Sequence, residues 1–232
     1  MKILHFILIV IAVFYITIHA QDQEGIYLEQ KINSSGMNNP AGNSAISKSW
    51  ITDSRIRLEQ PGQTLIFLFD AKKVFTLMQK EKQYIEMTFA DMDNILNLSK
   101  MFMASGQTSF VFSKKDETRQ INNWNAYKIE AKNDLQHMVL WLTEDIAIDR
   151  AKILKMYSKI PGLSVIADSF NKTNEFQGFP VLTEMEMKVM DMPVKTSIEL
   201  VKIEKTTVGD SLFLIPENFE QIESPMNSFQ MK

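Results

Sequence analysis

Apolar and polar side chains alternate along most of the chain, a pattern that predicts β-strands. From Ile26 to Ile32 apolar residues fall on alternate positions, which is typical of a strand with one buried face. The segment Asn33–Asn43 (NSSGMNNPAGN) is rich in turn-forming residues, and we expect a loop there. The alternation then predicts a single strand over Ser44–Leu58, followed by a turn at Pro61-Gly62.

A meander of short hairpins should follow. Thr64–Asp70 is apolar at nearly every position, which indicates a central strand covered on both faces. The same patterns predict a hairpin tip at Asn122-Asn123. The further predicted strands are Val74–Met78, Gln83–Phe89, Thr108–Ser113, Thr118–Ile121, Trp124–Lys132, Gln136–Thr143, Val181–Met190, Val194–Thr206 and a short closing strand at Leu212–Pro216.

Two segments change to helical spacing. The first runs from Met92 to Phe102, with Asp91 as its predicted N-cap. The second runs from about Asp145 to Phe170 and should be broken at Pro161-Gly162. Antiparallel strands with two helical inserts predict an α+β domain, a half-open antiparallel β-barrel whose concave face the helices cover.

The N-terminal segment has a different pattern. Lys2 is followed by an almost unbroken apolar run from Ile3 to Ile18, and the polar part of the chain begins after Ala20. This layout predicts a signal peptide over residues 1–20, cleaved near Ala20. We therefore expect a periplasmic or secreted protein; an uncleaved N-terminal anchor is the alternative, because the run is close to the length of a membrane span.

Composition narrows the possible functions of the remaining residues 21–232, which we predict to form one domain. There is no cysteine, so neither a disulfide framework nor a cysteine-linked lipid is possible. A net charge of −3 gives no basic footprint for nucleic acid. The chain holds 15 Met and 15 Phe, which predicts an interior of adaptable apolar side chains.

Several short motifs, taken in their order, carry a resemblance to a known group. They are Ser54–Gln63, Ile66–Asp70, Lys73–Leu77, Lys82–Glu86, Leu140–Thr143, Gly178–Val181 and Phe213–Pro216. Together they resemble an uncharacterised bacterial family of exported domains of unknown function, which is similar to the lipoprotein carriers LolA and LolB. The resemblance implies an unclosed barrel of about eleven strands capped by helices, an apolar cavity that accepts acyl chains, and a location in the Gram-negative periplasm.

Two sets of site residues follow. A concave sheet face lined by Met and Phe would suit a lipid chain, because these side chains adapt to irregular shapes. The candidates for lining this cavity are Phe67, Phe69, Met87, Leu140, Met185 and Met187. In the carriers, an arginine before the proline turn is tied to the lid. The resemblance places this latch at Arg57, with Arg55 as the alternative.

Other chemistry has weaker support in the sequence. Met185, Met187, Met190 and Met192 form a thioether cluster of the kind that selects Cu(I). Beyond the predicted signal peptide, His137 is the single histidine, and no nucleophile or phosphate-loop motif accompanies it. We expect neither catalysis, nor a cofactor, nor a resident metal.

The predicted function is therefore a non-enzymatic carrier whose partner is a lipid or an acylated protein. A scaffold or interaction module of the cell envelope, with a filled barrel, an envelope protein as partner and no ligand, is the alternative. A methionine-based copper chaperone is a second alternative function.

Overall fold

The computed structural model describes residues 22–36, 39–102, 110–133, 136–161, 176–189 and 192–224. The predicted signal peptide, residues 1–20, lies outside these ranges. Within them, no helix is both long enough and apolar enough to cross a membrane.

The described residues form one open sheet with two α-helices. The strands are β1 (Gln23–Gly36), β2 (Asn39–Ile51), β3 (Arg55–Gln60), β4 (Gln63–Leu68), β5 (Lys73–Met78), β6 (Gln83–Thr88), β7 (Val111–Ile121), β8 (Trp124–Lys132), β9 (Gln136–Thr143), β10 (Phe179–Val189), β11 (Met192–Val208) and β12 (Glu220–Gln221). The helices are α1 (Phe89–Phe102), α2 (Arg150–Tyr157) and a short 3₁₀ helix at Asp210–Phe213. Across the sheet the order is β12-β6-β5-β4-β3-β2-β1-β11-β10-β9-β8-β7, and every pair is antiparallel except β12 beside β6.

The chain is mostly β, so our prediction of an α+β domain is wrong in class. The predicted open, antiparallel sheet is confirmed, because β7 and β12 remain as two unpaired edges of the described sheet. The first helix, α1, begins before its predicted start and has 14 residues, whereas α2, with 8 residues, is shorter than predicted. The segment after Pro161 that we predicted to be helical lies mainly outside the described residues.

Apart from residues 37–38, which lie outside the described residues, the predicted loop at Asn33–Asn43 is instead the end of a long β-hairpin. Asn33 pairs with Ser44 of β2, and on its other side with Ser197 of β11. Asn33 and Ser34 have strand partners on both sides, and Asn39 and Asn43 of β2 pair with β1, so pairing overrides the weak β propensity of this polar segment. A shift of register between Ser34 and Gly36 accommodates the turn residues.

Two predicted boundaries also differ. The expected single strand Ser44–Leu58 is divided at Thr52, whose hydroxyl accepts a hydrogen bond of 3.1 Å from the Arg55 amide and closes a turn. The expected closing strand Leu212–Pro216 begins instead within the 3₁₀ helix. The apolar side chains of Leu212, Phe213 and Ile215 pack against the sheet. They are buried or partly buried in this way without strand pairing of this segment's backbone.

The strand register assigns side chains to two faces. We call the first the helix face: Ile51, Ile56, Phe67 and Val74 lie side by side on it. Both α1 and α2 contribute to the cluster that covers this face. The predicted placement of both helices on one face of the sheet therefore agrees with the structure.

The second face we call the tail face. Trp50, Arg57, Ile66 and Phe75 lie side by side on it, and the chain after β11 covers it. Ile66 is fully buried there, and the buried side chain of Phe213 belongs to the same cluster. This half of the sheet is thus covered on both faces, as the apolar strand Thr64–Asp70 predicted.

Candidate ligand-binding site

Three of the predicted cavity residues are part of the packed helix face. Phe67 is 6% exposed and Phe69 is 7% exposed, and both belong to a cluster that includes Ile153 and Met156 of α2. Met87 is partly buried against the same cluster. These side chains contact protein and line neither of the two grooves that we describe below.

The other three predicted residues lie on β9 and β10, in the other half of the sheet. Leu140 is 2% exposed within a second cluster, which also contains Phe176. Met185 is partly buried at the margin of that cluster. Met187 follows two positions later and pairs with Gln136 across the strands. The six candidates are therefore divided between two places.

Arg57, the predicted latch, contacts the segment that follows β11, at the 3₁₀ helix Asp210–Phe213. On the tail face its Nε donates to Glu59 Oε1 at 2.8 Å, and its Nη1 donates to the Leu212 carbonyl at 2.7 Å. The neighbouring Arg55 forms an ion pair with Asp210 and lies 4.6 Å from the centre of the Phe213 ring. Alternation along β3 places both arginines on one face, so together they fasten the segment that follows β11.

The predicted thioether cluster is described in part. Met185 and Met187 lie two positions apart on β10, whereas Met190 and the side chain of Met192 lie outside the described residues. Within the described ranges, no group of three His, Asp or Glu side chains is arranged to hold a metal ion.

An open volume occurs at the far end of the long hairpin. This space, which we call the hairpin groove, measures about 550 Å³ and crosses five neighbouring strands, β2, β1, β11, β10 and β9. Consecutive residues such as Glu184, Met185 and Glu186 line it, so it follows the strand ends and not a single face. The full lining is Asn33, Ser34, Ser35, Gly42, Asn43, Ser44, His137, Val139, Glu184, Met185, Glu186, Lys195, Thr196 and Ser197.

Polar side chains form a row across the hairpin groove. Ser35 pairs with Lys195, Lys195 with Glu186, and Glu186 with His137. The Lys195 ammonium lies 3.5 Å from the Glu186 carboxylate. His137 Nε2 is buried and has no hydrogen-bond partner. The groove thus has a charge pair beside a buried ring nitrogen that has no hydrogen-bond partner.

Apolar and neutral contacts complete the groove. Met185 and Val139 supply apolar surface, and Met185 is the one predicted cavity residue that reaches this volume. Asn33 Nδ2 donates to Ser197 Oγ at 3.0 Å, which ties β1 to β11 beside the groove. Sequence reasoning missed most of this lining, because the groove depends on the extended pairing of a segment that we predicted to be a loop.

Comparison with known proteins gives one match to a family model and several distant structural likenesses. The family model described as a domain of unknown function (DUF4412) matches residues 40–219. No match was found among curated proteins.

The structural likenesses are weak. A structure of PNGF-II in space group C2 is 13% identical with a TM-score of 0.40, and the match covers 89% of this chain and 32% of that one. This chain thus spans about a third of the length of that protein. A domain described as that of an outer membrane lipoprotein-sorting protein, from Vibrio parahaemolyticus, is 9% identical with a TM-score of 0.33, covering 82% of this chain and 89% of that chain. A DUF1329 family protein from Desulfovibrio piger ATCC 29098 is 7% identical with a TM-score of 0.32, covering 83% of this chain and 90% of that chain. At these TM-scores none of the three bears on function.

Proposed function

The chain belongs to the DUF4412 family of domains of unknown function, and from this premise we propose that it is a non-enzymatic binding protein of the cell envelope. Its ligand is amphiphilic, a lipid or an acylated protein, and binds in the hairpin groove. This proposal keeps the predicted class of function. It moves the predicted site away from Phe67 and Phe69, since both are enclosed by protein.

One observation carries the proposal: at the hairpin groove, a predicted lining residue, Met185, borders an open volume of about 550 Å³. Small-molecule sites in proteins typically measure ~300–1,000 Å³. Apolar contact with Val139, which lies two positions from His137 on β9 and therefore on the same face, would hold part of an acyl chain, where each buried CH₂ contributes about 0.8 kcal/mol. The charged row from Lys195 to His137 would face the polar end of the ligand.

The groove geometry favours binding over catalysis. Nucleophilic catalysis by serine requires a base within hydrogen-bonding reach of the hydroxyl. His137 Nε2 has no hydrogen-bond partner, although four serines line the same groove. We therefore assign the serines to hydrogen bonding with a ligand or to the frame of the groove.

The first experiment is mass spectrometry of an organic extract of the protein purified from its own envelope fraction. A stoichiometric lipid supports a carrier. The matching test in solution uses a fluorescent hydrophobic dye and the variant Ser44→Trp, because Ser44 is exposed and its replacement fills the groove without disturbing the core. We expect at least a tenfold loss of dye affinity. Gln63→Trp, at an exposed position at the start of β4, is the matched control and should bind like wild type.

A second function is favoured by the packed clusters. Phe67, Phe69 and Leu140 are buried among other side chains, as a scaffold with a filled sheet would require. Such a protein would yield no lipid in the extract and would bind the dye no better than the Ser44→Trp variant does. That pair of results would overturn the carrier proposal in favour of an interaction module.

A further inference from the structure

We propose that a second groove, beside the start of α2, binds an anionic group, a carboxylate or a phosphate, through the guanidinium of Arg150. This space, which we call the Arg150 groove, measures about 420 Å³. It shares no residue with the hairpin groove. Its lining is Glu144, Ile146, Ile148, Asp149, Arg150, Ala151, Gln177 and Gly178.

The unsatisfied hydrogen-bonding capacity of Arg150 is the central observation. Its Nη1 atom is buried and has no hydrogen-bond partner. A guanidinium remains charged in proteins, and a buried charged donor without an acceptor is unfavourable. Burial also lowers the pKa of Arg150. When the guanidinium turns Nη1 toward the groove, an anionic oxygen bound there supplies the missing acceptor, and the planar guanidinium suits a carboxylate or a phosphate.

Two carboxylates also line the Arg150 groove, and neither fills this role. Asp149 Oδ1 accepts a hydrogen bond of 2.9 Å from the Ala151 amide and so caps α2. Glu144 is exposed, and no ion pair joins it to Arg150 within the described part of the chain. After burial, its charge is the next cause that raises the pKa of the Tyr127 phenol, and the charge of Arg150 opposes this effect.

The remaining walls of the groove are apolar or held in place by backbone contacts. Ile146 and Ile148 are partly buried and pack against the main cluster. The Tyr127 hydroxyl donates to the Gln177 carbonyl at 2.5 Å, which fixes that wall. Gly178 has φ +92 and lies so close to the Thr143 carbonyl that a side chain would collide with it. The groove can thus contact an apolar body beside the anionic group that Arg150 binds.

Calorimetric titration of the chain from Gln21 onward tests this assignment. The probes are inorganic phosphate, decanoate below its micellar concentration, and neutral decanol. We expect Arg150→Gln to weaken binding of the anionic probes by about ten- to a hundredfold, the usual effect of losing a charged hydrogen bond. Decanol binding should stay unchanged. Lys155→Gln, which removes the same charge from an exposed position of α2, should bind like wild type.

The probes distinguish the possible sources of the anion. Binding of decanoate well above that of phosphate supports a lipid head group, whereas similar binding of both supports a small free anion. Failure of the wild type to bind either probe, or equal binding by Arg150→Gln, would overturn the proposal.

Two further variants keep the test independent of folding and of the proposed function. Glu144→Gln removes the exposed carboxylate that lines the groove and should bind phosphate at least as tightly as wild type; weaker binding would contradict the assignment. Ser44→Trp fills the other groove and should leave phosphate binding unchanged. The proposals for the two grooves can therefore be refuted independently.

Discussion

Arg57 donates a hydrogen bond of 2.7 Å to the backbone carbonyl of Leu212, which is 155 residues further along the chain. With the ion pair between Arg55 and Asp210, this bond fastens the C-terminal segment to the tail face of β3. The segment then continues to β12, which pairs with β6 at the edge of the sheet. The two arginines thus connect the middle of the sheet to the chain that covers it.

Replacing Arg57 should loosen this connection. We expect Arg57→Met to lower the free energy of unfolding by about 2 kcal/mol, because hydrogen bonds to charged groups contribute ~1.5–3 kcal/mol. Hydrogen exchange should quicken in residues 210–221 before it quickens elsewhere. Lys48→Met, an exposed change on β2, is the control. Uniform exchange across the sheet would contradict a local role.

Phe213 should be the main apolar anchor of the same segment. Its side chain is 4% exposed, whereas that of the adjacent Leu214 is 64% exposed. We expect Phe213→Ala to cost about 3–5 kcal/mol, the usual effect of truncating a buried aromatic residue. Leu214→Ala should change stability by less than about 0.5 kcal/mol. Urea denaturation of both variants measures the two losses of stability. Similar losses would show that burial of Phe213 does not anchor the segment.

Phe67 distinguishes a filled helix face from a hollow one. If the side chain is packed as the structure shows, at 6% exposure, Phe67→Ala should destabilise the protein by about 3–5 kcal/mol. The variant should also bind a small apolar probe that the wild type excludes from this place. Thermal denaturation and dye binding check the two effects. A nearly neutral substitution that reduces dye binding would return the ligand site to the predicted cavity.

The start of α1 depends on a reciprocal pair of hydrogen bonds. The Thr88 hydroxyl accepts from the Asp91 amide at 3.1 Å, and Asp91 Oδ2 accepts from the Thr88 amide at 2.8 Å. This makes Thr88 the N-cap, in place of the predicted Asp91, in an arrangement like a capping box. The Thr88 hydroxyl also donates to Asp91 Oδ2 at 2.7 Å, and this bond, followed by the bond from the Thr88 amide, lowers the pKa of Asp91.

We therefore expect Thr88→Ala to cost about 1 kcal/mol, whereas Thr88→Ser should be close to neutral. In Thr88→Ala the pKa of Asp91 should rise toward its ordinary value, which NMR titration can follow. Because a lowered carboxyl pKa contributes stability that is lost as the pH falls through it, the wild type should lose more stability than Thr88→Ala on acidification. Equal losses would exclude this role for the pair.

Tyr27 should make the stability of the fold depend on pH in the alkaline range. Burial, followed by the hydrogen bond of 2.8 Å to Glu29 and the charge of that carboxylate, raises the pKa of Tyr27 to about 12. A tyrosine in the unfolded chain ionises near pH ~10. The neutral side chain therefore contributes stability that is present below about pH 10 and is lost as the pH rises toward 12.

Glu29→Gln should lower the pKa of Tyr27, as ultraviolet absorbance titration can measure. Tyr157 provides an internal reference, because burial alone raises its pKa to about 12. The variant should leave Tyr157 unchanged. A Tyr27 titration that does not move would assign its whole shift to burial.

The sequence by itself determined most of the strands and little of the candidate site. Local alternation at Ile26–Ile32 and the continuous apolar run at Thr64–Asp70 predicted buried strands correctly, because burial follows directly from side-chain period. The tip at Asn122-Asn123 was likewise predictable, since Asn tolerates the positive φ of +51 observed at Asn122.

Tertiary structure alone decided what happens where local signals are weak. The local sequence of Asn33–Asn43 predicts a loop, and only the pairing of β1 with β11 shows that part of this segment is a strand. The hairpin groove exists because that pairing extends the sheet. Arg57 and Leu212 are likewise brought together by a fold that no local pattern encodes. Alternation fixes which residues of a strand share a face. Partners distant in sequence decide what covers that face, because their contacts depend on the order of strands in the sheet.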